Sequence, residues 1–150
     1  MSTGSHYTAP AKGSNFFNDT VARLAKVGIS VYGSRLLCVK GRKTGQMRST
    51  AVNPLTVDGQ RYLIAPRGTT QWVRNLRAAS GEGELRLGRK TERFTATEMD
   101  DEAKPDILRA YLKRYAFETG MFFDGVGAKS PEEELRRIAP RHPVFRITAR

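Results

Sequence analysis

Residues 36–65 decide the fold, and they read LLCVKGRKTGQMRSTAVNPLTVDGQRYLIA. Three extended runs, 36–40, 48–57 and 61–65, alternate with segments that contain glycine. The first connection is bounded by Gly41 and Gly45 and has a basic tip, and Asp58-Gly59 is a strong hairpin signal. Pro54 predicts that its strand lies at a sheet edge or contains a bulge, because proline donates no ladder hydrogen bond. The stretch therefore predicts consecutive antiparallel hairpins.

The remaining elements combine helices with further strands. Helical spacing and stop signals predict helices over 14–28, 70–79 and 101–115, with Ser14 and Thr70 as N-caps. A fourth helix is expected after Ser130-Pro131, with Ser130 as N-cap and Glu133 completing a capping box. Strands are predicted over 84–87, 91–98 and 143–148, and an aromatic, Gly-rich loop over 117–129. The fold class is therefore α+β, a small barrel of antiparallel strands with flanking helices.

Length and composition suit a single globular domain. The chain has 150 residues with 39% hydrophobic and 27% charged side chains. We expect residues 1–15 to form a flexible segment and residues 16–150 to form the domain. Cys38 is the single cysteine, so no disulfide framework is expected. No apolar run approaches the ~20 residues of a membrane span, and no signal peptide is recognised. The expected location is the cytoplasm.

Positive charge is concentrated in one part of the chain. The formal net charge is +11, and residues 35–77 hold nine Lys or Arg with a single acid, Asp58, a local charge of +8. If these cations converged on one face, they would attract phosphates, carboxylates, nucleic acid or anionic lipid. The positive charge predicts an anionic partner and leaves the chemical identity of that partner open.

The segment Gly41-Arg42-Lys43-Thr44-Gly45-Gln46-Met47-Arg48 is the most suggestive of a ligand. Its glycines permit a tight backbone with exposed N–H groups, and its basic and hydroxyl side chains are donors that suit phosphate. It is not a Walker A loop, because the Lys-Thr pair precedes the second glycine and a strand follows. The alternative interpretation is a solvated hairpin tip.

A second candidate region lies where a strand gives way to a short helix. Backbone N–H groups after Ala65-Pro66-Arg67-Gly68 could receive an anion. Trp72, the only tryptophan, could stack on a flat ring, and Asn75 could donate or accept a hydrogen bond. Taken alone, Trp72 is more readily explained as an apolar anchor of the core.

Aromatic residues near the C-terminal third could line a pocket or fill the core, and core filling is the favoured interpretation for most of them. They are Tyr111, Tyr115, Phe117, Phe122 and Phe123. A tyrosine hydroxyl among them could orient a substrate or give it a proton. His6 and His142 have no neighbouring ligand pair, so no metal site is predicted.

Several separated segments, in order, resemble one known family. They are Gly41-Arg42-Lys43-Thr44-Gly45-x-x-Arg48, Asn53-Pro54-Leu55, Ala65-Pro66-Arg67-Gly68 and Gln71-Trp72-x-x-Asn75-Leu76-Arg77-Ala78. The order resembles the deazaflavin-dependent nitroreductases, also called F-420-dependent quinone reductases. The likeness extends from about residue 36 to residue 147 and includes Lys104-Pro105, Phe122 to Gly127 and His142 to Phe145.

The resemblance implies a split β-barrel, related to the FMN-binding barrel proteins, with coenzyme F-420, an 8-hydroxy-5-deazaflavin, in a groove beside it. By matching position, Arg42, Lys43, Thr44, Gly45 and Arg48 would hold the coenzyme's phosphate and acidic tail. Pro54, Ala65, Arg67, Gly68, Trp72 and Asn75 would border its ring and linker. The coenzyme would give a hydride to a small electron-poor acceptor such as a quinone, enone or nitro compound. Tyr111, Tyr115 or ordered water would supply the proton.

Three other interpretations compete with the reductase. A carrier on the same barrel could hold a hydrophobic or fatty-acid-like ligand, although the intact Arg42 to Arg48 segment favours the coenzyme. FMN could replace the deazaflavin. A basic nucleic-acid-binding module would fit the pI of about 10.3, but no helix-turn-helix, zinc finger or RNP-type signature is present. The expected partners are a small acceptor and, at the basic face, an anionic membrane, for a monomer or homodimer.

Overall fold

A computed structural model describes residues 34–150, apart from the side chains of Phe117 and Glu118. Its strands are β1 Arg35–Lys40, β2 Met47–Val52, β3 Leu55–Val57, β4 Gln60–Ile64, β5 Glu82–Leu87, β6 Lys90–Glu98 and β7 Val144–Ala149. Its α-helices are α1 Gln71–Ala78, α2 Lys104–Thr119 and α3 Glu132–Ile138, and short 3-10 turns span Asp101–Ala103, Gly120–Phe122 and Ala139–Arg141. The helix predicted over 14–28 and the segment 1–15 lie outside the described residues.

All seven strands form one antiparallel sheet in the order β2-β1-β5-β6-β7-β4-β3. Its two edge strands, β2 and β3, are consecutive in the chain and are joined only by Asn53-Pro54. The sheet must therefore curl until its two ends meet, without a hydrogen-bonded ladder to close the seam. This is a split β-barrel, as predicted, and the α+β class is confirmed.

Pro54 breaks what the sequence predicted as one strand over 48–57. The structure separates β2 from β3 at Asn53-Pro54, because proline has no N–H for the ladder and its ring fixes φ. The expectation of an edge position is confirmed, since both flanking strands are sheet edges. The seam of the barrel thus coincides with a residue that cannot extend a sheet.

Two turns of the sheet depend on the left-handed region of backbone space. Asp58 and Gly59 have φ of 50° and 79° and connect β3 to β4 as the predicted tight hairpin. Gly81 has φ of 82°, donates to Leu76 O at 2.9 Å and ends α1. A Cβ at Gly81 would collide with the Ala96 carbonyl oxygen, so only glycine fits there.

Two apolar clusters form the core. Inside the barrel, α1 packs Val73 and Leu76 against Leu37, Phe94 and Phe145. On the outside, α2 and α3 cover the β3-β4-β7 end of the sheet with Leu108, Tyr111, Leu112, Leu135 and Ile138, and Phe123 joins this cluster from the segment between them. Burial of each large side chain contributes about 1.5–3 kcal/mol. Most of the aromatic residues for which the sequence allowed either pocket or core therefore lie in the core, as favoured.

Helix ends differ from the prediction in two places. Helix α2 continues to Thr119 and passes into the 3-10 turn at Gly120, so the predicted loop is shorter than expected. Ser130 does not cap α3, whose N-cap is Pro131. The Ser130 hydroxyl instead accepts the Gly127 N–H at 2.9 Å, a local turn that competes with capping.

Within residues 34–150, no helix is both long enough and apolar enough to cross a membrane. The longest, α2, has 16 residues and carries charges along its length.

Candidate functional site

The loop between β1 and β2 is a tight turn built on two glycines. Gly41 N–H donates to Gln46 O at 2.7 Å, and Gly45 N–H donates to Gly41 O at 2.9 Å. Gly45 has φ of 77°, and a Cβ on Gly41 would lie 3.0 Å from Gln46 O. Thr44 Oγ1 accepts from the Gln46 N–H at 3.3 Å. The predicted glycine-bounded tip is confirmed; with its flanking residues it is called the cationic hairpin, residues 40–48.

Asn75 ties the cationic hairpin to α1. This side chain is buried, with 5% exposure, and its Oδ1 accepts two hydrogen bonds from Arg42. One comes from the Arg42 backbone N–H at 3.1 Å and the other from its Nη1 at 2.8 Å. A single amide oxygen therefore fixes both the backbone and the guanidinium of Arg42. Two predicted site residues that are 33 positions apart meet here.

The cations around this junction have no acidic partner in the described part of the chain. Lys40, Lys43, Arg48 and Arg74 are exposed and form no ion pair with residues 34–150. The Arg48 side chain passes over Gly41, where a Cβ added to the glycine would lie 3.5 Å from its Nε. The Lys40 side chain lies near Gly45, where an added Cβ would be 3.6 Å from its Cε. Positive charge without a described acidic partner thus surrounds the turn. The exposed N–H groups expected there are largely engaged, because Gly41, Arg42, Gly45 and Gln46 donate theirs within the protein.

Two other cations of the basic window have acidic partners. Arg61 pairs with Glu92 at 2.6 Å, and Arg77 makes a bidentate contact with Glu98. The hydrogen bonds from Arg77 to Glu98 raise the pKa of that guanidinium above its ordinary value. Residues 35–77 therefore contain arginines that are paired with acids as well as the exposed cations of the cationic hairpin.

The β4–α1 connection carries the second group of predicted residues. Ala65 N–H donates to Pro143 O at 3.0 Å, and Gly68 N–H donates to Ala65 O at 3.2 Å. Gly68 is buried with φ of 87°, a conformation that favours glycine. Arg67 is half-buried, and its guanidinium carbon lies 4.7 Å from the centre of the Phe122 ring. The connection is therefore a compact turn that carries one ordered cation.

Thr70 occupies the predicted N-cap position of α1 but makes no capping hydrogen bond. Its Oγ1 is buried and has no hydrogen-bond partner among residues 34–150. Buried hydroxyls are nearly always paired, so this group is suited to a ligand at the start of the helix.

Trp72 lies on α1 and is half-buried. Its ring packs against the barrel cluster, 5.9 Å from the Phe145 ring at an angle of 54°. This position is compatible with both interpretations of Trp72, as a core anchor and as a stacking surface for a flat ring. One part of the indole packs in the core, and another part is exposed. Trp72 and Asn75, three residues apart, lie on neighbouring turns of one helix face.

Pro54 meets one of the candidate proton donors. The Tyr115 hydroxyl donates to Pro54 O at 3.0 Å, which joins α2 to the seam between β2 and β3. Tyr111 and Tyr115 are both buried, with ring centres 5.1 Å apart. The structure thus brings Pro54 and Tyr115 together through the backbone carbonyl, and both tyrosine rings belong to the core.

Two contacts of these residues were not expected from the sequence. Phe122 covers Arg67, and the His142 ring, which is 1% exposed, faces Ala65 O through Nδ1 at 3.1 Å. The aromatic run before residue 124 and the His142-Pro143 pair were the available signals, but neither shows which distant residue it contacts.

Comparison with known proteins decides the family. The family model described as F-420H(2)-dependent quinone reductase matches residues 16–119, which is more than half of the chain. The chain belongs to this family. The reductase is thus an oxidoreductase whose coenzyme is F-420, as the sequence predicted. A search among curated proteins finds no match.

Solved structures confirm the fold of the reductase. A protein described as a domain-swapped dimer aligns with a TM-score of 0.56 at 15% identity, covering 91% of this chain and all of that one. The Agrobacterium tumefaciens protein Atu2129, of unknown function, aligns at 0.54 with 17% identity, covering 95% of this chain and 57% of its own length. An F-420-H2 dependent reductase, FDR-A, aligns at 0.51 with 19% identity, covering 77% and 94%. At these identities the likeness concerns fold alone.

The residues present fit the coenzyme by the chemistry of their donors. The coenzyme that the resemblance implies carries a phosphodiester and a glutamate tail, and both groups are anionic. The cationic hairpin offers exposed cations without an acidic partner among residues 34–150, and Thr70 offers a buried hydroxyl without a described partner. Such a set suits an extended anion.

Proposed function

We propose that the reductase transfers a hydride from reduced coenzyme F-420 to a small electron-poor acceptor: a quinone, an enone or a nitro compound. Family membership supports the coenzyme and the reaction class. The acceptor class rests on the resemblance and on a chemistry that needs no protein nucleophile. When bound, the coenzyme supplies the hydride from its C5, and the chain's residues bind, orient and exclude water.

The cationic hairpin is the observation that carries the proposal. Arg42, Lys43, Thr44, Gly45 and Arg48 would hold the phosphate and the acidic tail. Arg61 and Arg77 of the same basic window are paired with acids, whereas Lys43 and Arg48 have no such partner among residues 34–150. Exposed cations that are not engaged by acids of the described chain remain available to an anionic ligand, which favours a binding role.

Asn75 would act on the coenzyme through Arg42. Its Oδ1 already accepts both Arg42 hydrogen bonds, so the oxygen is engaged before any ligand binds. A prearranged arginine loses less conformational entropy when it binds an anion. Asn75 therefore contributes by fixing the guanidinium, and its amide NH2 is the group that could reach the coenzyme directly.

The β4–α1 turn and α1 would border the ring and the linker. Ala65, Arg67, Gly68 and Trp72 lie close together in the chain, and Gly68 lets the backbone turn sharply there. The half-buried Trp72 and Arg67 offer a flat apolar face and a cation, which suit a polar aromatic ring. Pro54 would border the same groove at the barrel seam.

Proton delivery to the reduced acceptor would fall to a tyrosine or to water. The Tyr115 hydroxyl is committed to Pro54 O, and the Tyr111 ring is 1% exposed. A Tyr115→Phe variant that keeps its turnover would leave the proton to Tyr111 or to water, whereas a large loss in kcat without a change in coenzyme binding would support Tyr115.

Turnover with defined acceptors tests the proposal. Purified protein would be given reduced coenzyme F-420 with a quinone, a cyclic enone or a nitroarene, and oxidation of the coenzyme would be followed. We expect turnover with at least one acceptor class and none when reduced FMN replaces the coenzyme. Reduction supported by FMN alone would contradict the proposal, and a Lys43→Ala/Arg48→Ala variant that turns over at an unchanged KM for coenzyme would exclude the cationic hairpin.

A further inference from the structure

Arg67 is held against an aromatic face. Its guanidinium carbon lies 4.7 Å from the centre of the Phe122 ring, within the range of a cation–π contact, and both side chains are half-buried. The two residues come from distant parts of the chain, the β4–α1 turn and the 3-10 turn after α2. The contact therefore joins the proposed coenzyme groove to the helical layer.

The residues that follow Phe122 are anchored to other parts of the fold. Phe123 is fully buried and stacks on the His142 ring at 4.2 Å. Asp124, with φ of 54°, accepts hydrogen bonds from Arg137 at 2.8 Å and from Arg141 at 3.1 Å. This group of Asp124, Arg137 and Arg141 is called the Asp124 clamp. A buried ring and two ionic contacts next to it hold the turn.

His142 connects the same turn back to Ala65. Because Ala65 O can only accept, the Nδ1 that faces it at 3.1 Å must carry the proton. Ala65 O also accepts the Gly68 N–H, so one carbonyl receives both bonds at the start of the turn that carries Arg67. His142 therefore contacts both turns: its ring stacks on Phe123, next to Phe122, and faces the Ala65 carbonyl at the start of the turn that carries Arg67.

We propose that Phe122 is a positioning residue: its ring fixes the Arg67 guanidinium in the orientation that receives the coenzyme, and His142 supports the two turns that carry the pair. This inference rests on the proposed function, because Arg67 is assigned to the coenzyme groove there. Phe122 acts through Arg67 and not through the reacting atoms.

The matched variants are Phe122→Leu, which keeps apolar volume but removes the π face, and Phe122→Tyr, which keeps it. We expect Phe122→Leu to weaken the Kd for oxidised coenzyme about fivefold, the effect of losing one partly buried cation–π contact. The KM for coenzyme should rise with kcat nearly unchanged, and Phe122→Tyr should bind like the wild type. Equal losses in both variants would overturn the inference.

A double-mutant cycle separates positioning from general packing. In an Arg67→Ala background, Phe122→Leu should have no further effect on the Kd, because the ring then has no guanidinium to hold. An effect of Phe122→Leu that persists at full size without Arg67 would overturn the inference. If Phe122→Leu does not fold, Phe122→Met provides the same loss of the π face with a more adaptable side chain.

Hydrogen exchange in the coenzyme-free protein distinguishes this inference from the proposed function. Phe122→Leu should speed exchange of the amides of residues 67–70 relative to wild type and Phe122→Tyr, with the amides of β5 and β6 unchanged. Unchanged exchange at 67–70 would overturn the positioning role even if the coenzyme binds. Absence of coenzyme binding by the wild-type protein would contradict the proposed function and leave the exchange result to decide the positioning.

Discussion

Two arginine-rich regions of this protein differ in what their charges contact. In the Asp124 clamp and α3, each of Arg136, Arg137 and Arg141 has an acidic partner, Glu132, Glu134 or Asp124. In the cationic hairpin, Lys40, Lys43 and Arg48 have none among residues 34–150. Similar residue types therefore serve the fold in one region and remain available to an anion in the other.

The largest expected effect comes from removing the available charges. In Lys43→Ala/Arg48→Ala, the affinity for oxidised coenzyme should fall by about tenfold per residue, since a hydrogen bond to a charged group is worth about 1.5–3 kcal/mol and some of this is lost to solvent. Both side chains are exposed, so the unfolding temperature should stay near that of wild type. Titrations and thermal melts of the same samples measure both quantities.

Arg136→Ala/Arg150→Ala is the matched control for that variant, because Arg136 pairs with Glu132 and Arg150 pairs with Glu82. It removes the same number of positive charges from side chains that have acidic partners and lie outside the Asp124 clamp, so coenzyme affinity should remain within about twofold of wild type. If both double variants weakened binding equally, net charge alone would explain the affinity and the comparison would fail.

The next effect concerns the junction between the cationic hairpin and α1. Asn75→Leu keeps volume but leaves the Arg42 backbone N–H and guanidinium without their acceptor. The free energy of unfolding should fall by about 1–3 kcal/mol, the cost of an unsatisfied buried donor, and coenzyme affinity should fall as well. Denaturant unfolding measures the first and titration the second. Loss of stability with unchanged affinity would show that Arg42 does not need this anchor.

Added salt should have a smaller effect on coenzyme affinity, and this effect should come from the cationic hairpin. Raising NaCl from about 50 to about 500 mM should weaken coenzyme binding roughly fivefold, because the hairpin charges are exposed and screened. The Lys43→Ala/Arg48→Ala variant should lose most of this dependence. A salt slope that is the same in the variant would place the electrostatic attraction elsewhere on the surface.

The smallest expected effect is the contribution of the Asp124 clamp to the stability of the fold, which is lost at acid pH. Hydrogen bonds from Arg137, with those from Arg141, lower the pKa of Asp124 below its ordinary value. A carboxylate with a lowered folded pKa stabilises the fold above its unfolded pKa of about 3.9, and loses this contribution as pH falls through the folded value. Wild type should therefore be slightly more stable than Asp124→Asn at about pH 5–7, and the two should converge once the pH falls below the folded pKa of Asp124. A difference in unfolding temperature that grows in acid would contradict the clamp.

Local features of the fold could be predicted from the sequence because each depends on nearby residues. The Asp58-Gly59 turn, the glycines of the cationic hairpin and the Gly81 helix stop need particular φ values or a missing side chain. Pro54 indicated an edge, but that the chain breaks there into two strands at opposite ends of the sheet order depends on closure of the whole barrel.

Contacts between distant residues could not be predicted in the same way. The resemblance assigned Arg42 and Asn75 to one site, but their hydrogen bonds depend on how α1 packs against β1. The contact of Phe122 with Arg67 depends likewise on where α2 ends. Ser130 followed the capping pattern and makes a different local bond, since a hydroxyl can satisfy either a turn or a helix.

The most direct test is a titration of wild-type protein with oxidised coenzyme F-420 at low salt, following the emission of Trp72, the lone tryptophan. Trp72 lies on α1 beside the junction with the cationic hairpin, so bound coenzyme should quench it. We predict saturable quenching at micromolar coenzyme, weakened in Lys43→Ala/Arg48→Ala and retained in Arg136→Ala/Arg150→Ala. No saturable binding at low salt, or binding that the hairpin variant leaves unchanged, would contradict the central claim that the uncompensated cations hold the coenzyme.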